Sequence, residues 1–115
     1  MAKSARATRA VYLHSEQGGF ARDFGLRDQN RRSAVSIMSN IAEGFERNRH
    51  GELHQFLSIA KGSCAELRSQ LHVAHDVGQI MAETFQSLLL HAKEAGRILG
   101  GLRSAVAVDR QRAPR

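Results

Sequence analysis

The residues best suited to chemistry in this chain are its histidines and the Ser63-Cys64 pair. His50 and His54 stand at i, i+4, and His72 and His75 at i, i+3, so each pair shares a helix face on which two imidazoles could grip a metal ion. A structural zinc site needs four ligands, and neither pair has a cysteine or carboxylate set beside it to complete one. Surface or helix-end histidines are the simpler reading. Ser63 and Cys64 lack a base at predictable distance, and Cys64 falls in an apolar rhythm that makes it a buried, inert thiol. Gly18-Gly19 and Gly100-Gly101 have none of the strand and helix context of a phosphate loop. Tyr12 is the only polar aromatic, too little for a base-stacking platform. With no convergent acid, base and nucleophile, neither catalytic residues nor metal ligands nor a cofactor are expected, and the chain reads as a binding protein rather than an enzyme.

Charge offers more. The net charge of +6 comes from the two ends: Lys3, Arg6 and Arg9 at the start, and Arg103, Arg110, Arg112 and Arg115 against Asp109 at the finish, with the middle in balance. Clustered arginines raise the local potential and displace counterions from nucleic acid. In an up-down-up-down bundle both chain ends lie at one end of the molecule, so these residues would form a basic pole for structured RNA or DNA, with Lys3, Arg6, Arg9, Arg103, Arg110 and Arg112 as the contact candidates. The plainer alternative is a pair of solvated tails on a structural or protein-interaction scaffold.

A second set of polar residues runs along one predicted helix. Gln29, Ser33, Ser36, Asn40, Glu43 and Arg47 step by four and three residues, and Arg32 lies beside them. Short Ser and Asn side chains suit buried hydrogen bonds better than an exposed helix face. Arg32, Ser36, Asn40 and Glu43 are therefore set against Phe56, Ala60, Ser63, Glu66 and Gln70 of the next helix as a packing or assembly seam, with a solvated face as the alternative.

Helices must position all of these. The only proline is Pro114, and no strand-like alternation occurs. The chain reads as one all-α domain over residues 1–107, with helices at about 4–14, 24–45, 49–77 and 80–107 and a basic flexible tail at 108–115. Gly44 or the next few residues end the second helix, whose apolar side carries Leu26, Ala34, Ile37, Met38, Ile41 and Phe45. Asn48 is the expected N-cap of the third. Leu53, Leu57, Ala60, Cys64, Leu67, Leu71, Ala74 and Gly78 form one heptad seam, and Met81, Phe85, Leu88, Ala92, Ala95, Leu99, Leu102 and Val106 form its partner. Two such repeats joined by a short turn predict antiparallel helices in a four-helix bundle. Phe56, Ile59, Val73 and Val77 widen the apolar arc of the third helix beyond one partner's needs, which predicts oligomerisation, and mid-helix Gly62 predicts tight packing there. The single cysteine excludes an internal disulfide and fits a reducing, cytoplasmic setting. No apolar stretch is long enough for a signal peptide or a membrane span.

Arg32, Ser36, Ser39 to Gly44, Arg47, Phe56, Leu57, Ala60, Gly62, Ser63 and Glu66 together resemble the signature of the four-helix-bundle proteins encoded within intervening sequences of bacterial 23S ribosomal RNA. The accessory proteins of diversity-generating retroelements share this bundle. The resemblance implies a ring-like homopentamer, with a reverse transcriptase and nucleic acid as partners in the retroelement setting. It supplies no defined activity. Met38 stands where most of the family has a proline, and the first helix is poorer in apolar and aromatic residues than the family pattern.

Overall fold

The computed structural model describes residues 2–16, 18, 23–47 and 49–112, with the side chains of residues 2, 3, 24 and 108–112 left aside. Among the described residues there are four α-helices and no strand: α1 (Ala2–His14), α2 (Phe24–Arg47), α3 (His50–Asp76) and α4 (Ala82–Arg112). They build a rod of 53 × 20 × 20 Å. Helices adjacent in sequence pack together, and α1 also packs on α4.

The seam between α3 and α4 is the dry centre. Leu57, Ala60, Cys64, Leu67, Leu71 and Ala74 are all buried, as are Phe85, Leu88, Ala92, Ala95 and Leu99. The 3.5-residue spacing keeps each set on one stripe of its helix, so the two stripes bury one another continuously. Small residues let the backbones close in at mid-height, where Gly96 faces the Cβ of Cys64. Ala7 and Val11 of α1 and Ala34, Ile37 and Ile41 of α2 are buried as well, and Val11, Ala34, Ile37 and Ile41 belong to the same core cluster.

Helix ends differ from expectation in instructive ways. α2 ends at Arg47, within the few residues after Gly44 where an end was expected, and Gly44 itself is not the stop. It is instead a buried contact point, since a Cβ there would lie 2.9 Å from the Cβ of Phe56 and 3.0 Å from a Leu53 methyl. Phe45, placed on the apolar side by its spacing, is half exposed. Asn48 lies outside the described residues, and the residue before α3 is Arg49, whose side chain makes no capping bond. Gly62 has open space where its side chain would be, contrary to the close approach expected at that point. Met81 is largely exposed and Ile80 takes the buried place: the Met81 carbonyl accepts the Phe85 N–H, making Met81 the residue that opens α4. The turn before it works through Gly78, whose φ of +77° is one that L side chains rarely adopt, while Gly78 and Gln79 N–H groups close on the His75 and Ala74 carbonyls. α4 begins at Ala82 rather than 80 and runs to Arg112, past the expected end at 107. Ala105, Val106 and Ala107 continue it without a glycine or proline to interrupt.

Asp23 starts α2. Its Oδ1 accepts the Leu26 N–H at 3.0 Å and its Oδ2 accepts Nε2 of Gln79 at 2.7 Å. The bond from Gln79, then that from Leu26, holds the carboxyl below its ordinary range. One side chain thus caps α2 and ties it to the turn between α3 and α4.

Candidate functional site

Where α2 meets α3 the packing turns polar, and the hydrogen bonds form two rungs. In the lower rung Asn30 Nδ2 donates to Gln70 Oε1 at 3.3 Å, and Gln70 Nε2 donates to Ser33 Oγ at 3.1 Å. In the upper, Ser36 Oγ and Ser63 Oγ stand 2.8 Å apart. Ser63 also bonds the Ile59 carbonyl at 3.2 Å, and Asn40 Nδ2 reaches both the Ser36 carbonyl at 2.8 Å and its Oγ at 3.0 Å. A hydroxyl has one proton, so the only order that satisfies every bond runs from the Asn40 amide to Ser36, from Ser36 to Ser63, and from Ser63 to the Ile59 carbonyl.

These rungs floor an open groove of about 470 Å³ lined by Gln29, Arg32, Ser33, Ser36, Glu66 and Gln70. Arg32 and Glu66 are exposed at its rim and make no ion pair with a described residue. Exposed apolar side chains share its flanks by helical spacing: Ile59 and Val73 stand seven residues before and after Glu66 on α3, and Val35 three residues after Arg32 on α2. Further along, Glu43 pairs with Arg47 at 2.9 Å, and the Arg47 guanidinium lies over the Phe56 ring. Ala60 is buried in the core. The seam residues therefore sort into a bonded floor, two unpaired charges and an apolar border.

The candidate cations of the chain ends are more scattered. Arg6 and Arg9 are exposed on α1, and Arg103 is partly buried on α4. The side chains of Lys3, Arg110 and Arg112 lie outside the described residues. Thr8 Oγ1 bonds the Ala34 carbonyl at 3.0 Å, near the level at which Ser36 faces Ser63 and Gly96 faces Cys64. Residue 8 is therefore level with the middle of α4, and residue 110 lies about 20 Å further along the axis.

The residues weighed for chemistry are occupied otherwise. Burial pushes the Cys64 thiol up to about 11, so it stays protonated at neutral pH despite the opposing pull of Arg68. The ring of His75 stacks on Phe85 at 4.4 Å between centroids, and His72 meets the same ring edge-on at 5.0 Å. Among the described residues no group of three His, Cys, Asp or Glu could hold a metal ion, and no helix is long and apolar enough to cross a membrane.

Asn30 and Asp23 escaped the sequence reading. Asn30 is fully buried and keys the lower rung, yet it lies one residue off the stripe that begins at Gln29. An aspartate directly before a helix start was a readable capping signal.

Polar rungs on an otherwise apolar all-α scaffold define a class of helical-bundle protein. Within that class the chain belongs to the family of 23S rRNA-intervening sequence proteins, whose pattern matches residues 1–101. Its fold is similar to that of a protein of unknown function from the S23 ribosomal protein family of Bacteroides thetaiotaomicron. The two share 24% identity and a TM-score of 0.79, over 88% of this chain and 94% of that one. No curated protein matches.

Proposed function

We propose that this chain is a non-catalytic bundle of antiparallel helices that joins copies of itself through the α2–α3 face, as a ring of five, and binds structured RNA or DNA. The observation that carries the reading is the groove itself. Unpaired Arg32 and Glu66 of opposite sign sit among exposed Val35, Ile59 and Val73, a mixture suited to a second protein surface. The excess of basic residues, with Arg6, Arg9, Arg103, Arg110 and Arg112 repeated in every copy, makes the assembly multivalent toward phosphates.

Size-exclusion chromatography with light scattering on protein purified without nuclease tests both halves. A mass near five times the 12.7 kDa chain, with nucleic-acid absorbance that salt removes, is the expected outcome. A clean pentamer free of nucleic acid would leave a scaffold, such as a reverse-transcriptase accessory, and a monomer would end the assembly reading. Glu66→Ala is expected to lower the assembled fraction.

A further inference from the structure

We infer that the outer groove between α3 and α4 is a phosphate-binding face for duplex nucleic acid, separate from the basic chain ends. The inference rests on the nucleic-acid half of the reading above and gives it a different site.

Lys61 and Arg68 stand at i, i+7 on α3, and Lys93 and Arg97 at i, i+4 on α4, so each pair shares a face of its helix. Two contacts place these faces beside one another. A Cβ on Gly100 would meet Nζ of Lys61 at 3.5 Å, which sets Lys61 on the edge of α3 that borders α4. Cys64, one turn before Arg68 on the same edge of α3, faces Gly96 of α4. Taking Cys64 opposite Gly96 as the register, Arg68 comes level with Lys93, and Lys61 falls between Arg97 and Arg103. Four cations, Lys61, Arg68, Lys93 and Arg97, thus line about 10 Å of one groove.

The acids of the same stretches are elsewhere. Glu66 lines the opposite flank of α3, against α2. Glu94 is a quarter-turn or more around α4 from Lys93 and has a partner of its own. Lys61, Arg68, Lys93 and Arg97 are exposed, and none of the four forms an ion pair with a described residue. On α2, by contrast, Arg27, Arg31 and Arg47 are paired with acids, and among the described residues Arg32 alone is not.

Duplex rather than single strand follows from what the groove offers. Its one phenylalanine, Phe85, is buried beneath two histidines, so it offers no face for a base to stack on. Gly100 lowers the floor between the cations. A straight, shallow, cationic channel fits a phosphodiester backbone, whose duplex form carries about one charge per 1.7 Å of axis.

The test titrates full-length protein against a fluorescent 20-base-pair RNA duplex of arbitrary sequence across a salt series. Wild type is expected to bind with a log–log salt slope of about −3 to −4 if all four cations meet phosphates. Lys61→Gln with Arg68→Gln should weaken binding about tenfold or more and flatten the slope by about two. Circular dichroism and light scattering check that the variant keeps its helices and mass, and Lys93→Gln with Arg97→Gln repeats the test from the other helix. If both double variants bind like wild type while Arg6→Gln with Arg9→Gln loses affinity, the groove is overturned and the chain-end site stands. If wild type shows no salt-sensitive binding, both sites fail together.

Discussion

The two faces of α3 hold their neighbours by different physics. Toward α4 it presents Leu57, Cys64, Leu67 and Leu71, all buried against apolar side chains. Toward α2 it presents Ser63 and Gln70, joined to Ser36, Asn30 and Ser33 by hydrogen bonds. An apolar seam gains from every buried atom and tolerates small slips, whereas a hydrogen-bonded rung is satisfied in one register only. The α3–α4 seam supplies most of the cohesion, and the α2–α3 seam supplies alignment and an unfinished outer rim.

The comparison breaks most sharply at Leu67. Leu67→Ala should cost about 2–5 kcal/mol in a denaturant titration, because a fully buried leucine leaves both lost contacts and a cavity. Gly44→Ala comes next, at about 1–3 kcal/mol, since its new methyl would press on Phe56 and Leu53. Gly62→Ala is its control: with open space around it, the same change should stabilise the free chain by about 0.5–1 kcal/mol. Ser36→Ala and Ser63→Ala should each cost about 1 kcal/mol, and their double mutant less than the sum, because both remove one shared bond. Additive costs would mean that the rung is not coupled.

Two smaller effects depend on pH. Asp23 has a lowered pKa in the fold, so its contribution is whole above its ordinary value of 3.8 and is lost as pH falls through the lowered one. Asp23→Asn should flatten that acid limb of the stability curve. Cys64 runs the other way. Its folded value of about 11 exceeds the ordinary 9.0, so between those two values the unfolded thiol ionises first and stability falls as pH rises. Cys64→Ala should remove that slope, and native protein at pH 8 should react with a thiol reagent far more slowly than unfolded protein.

The heptads of α3 and α4 were legible because leucines and alanines at 3.5-residue spacing have one economical solution, mutual burial. The polar stripe of α2 was legible as a stripe, and the placement of Ser36 near Ser63 and Gln70 near the same helix followed from chain reversal. Asn30 was not, since a buried amide one step off the stripe has no signature until its partner is known. Gly44 was read as a helix end and Gly62 as a close approach, whereas Gly44 is the crowded one and Gly62 the open one, a distinction set by crossing geometry that no local window contains. The balance of charge in the middle likewise concealed a division by face: arginines on α2 that are paired except for Arg32, and unpaired cations along α3 and α4.

The bracing of α1 has a consequence in time. Helices α2, α3 and α4 contact their sequence neighbours and can assemble by successive local closures, which are fast. α1 is 13 residues long and is held by two buried apolar residues, the Thr8 bond to Ala34, and the contacts of Arg31 with Ser15 and Tyr12. It is the element with least to lose by leaving. Its amides should exchange with solvent deuterium through a brief local departure while those of α3 wait for global unfolding, so that the rod spends a small fraction of its life as a three-helix unit with the apolar flank of α4 open to whatever is nearby.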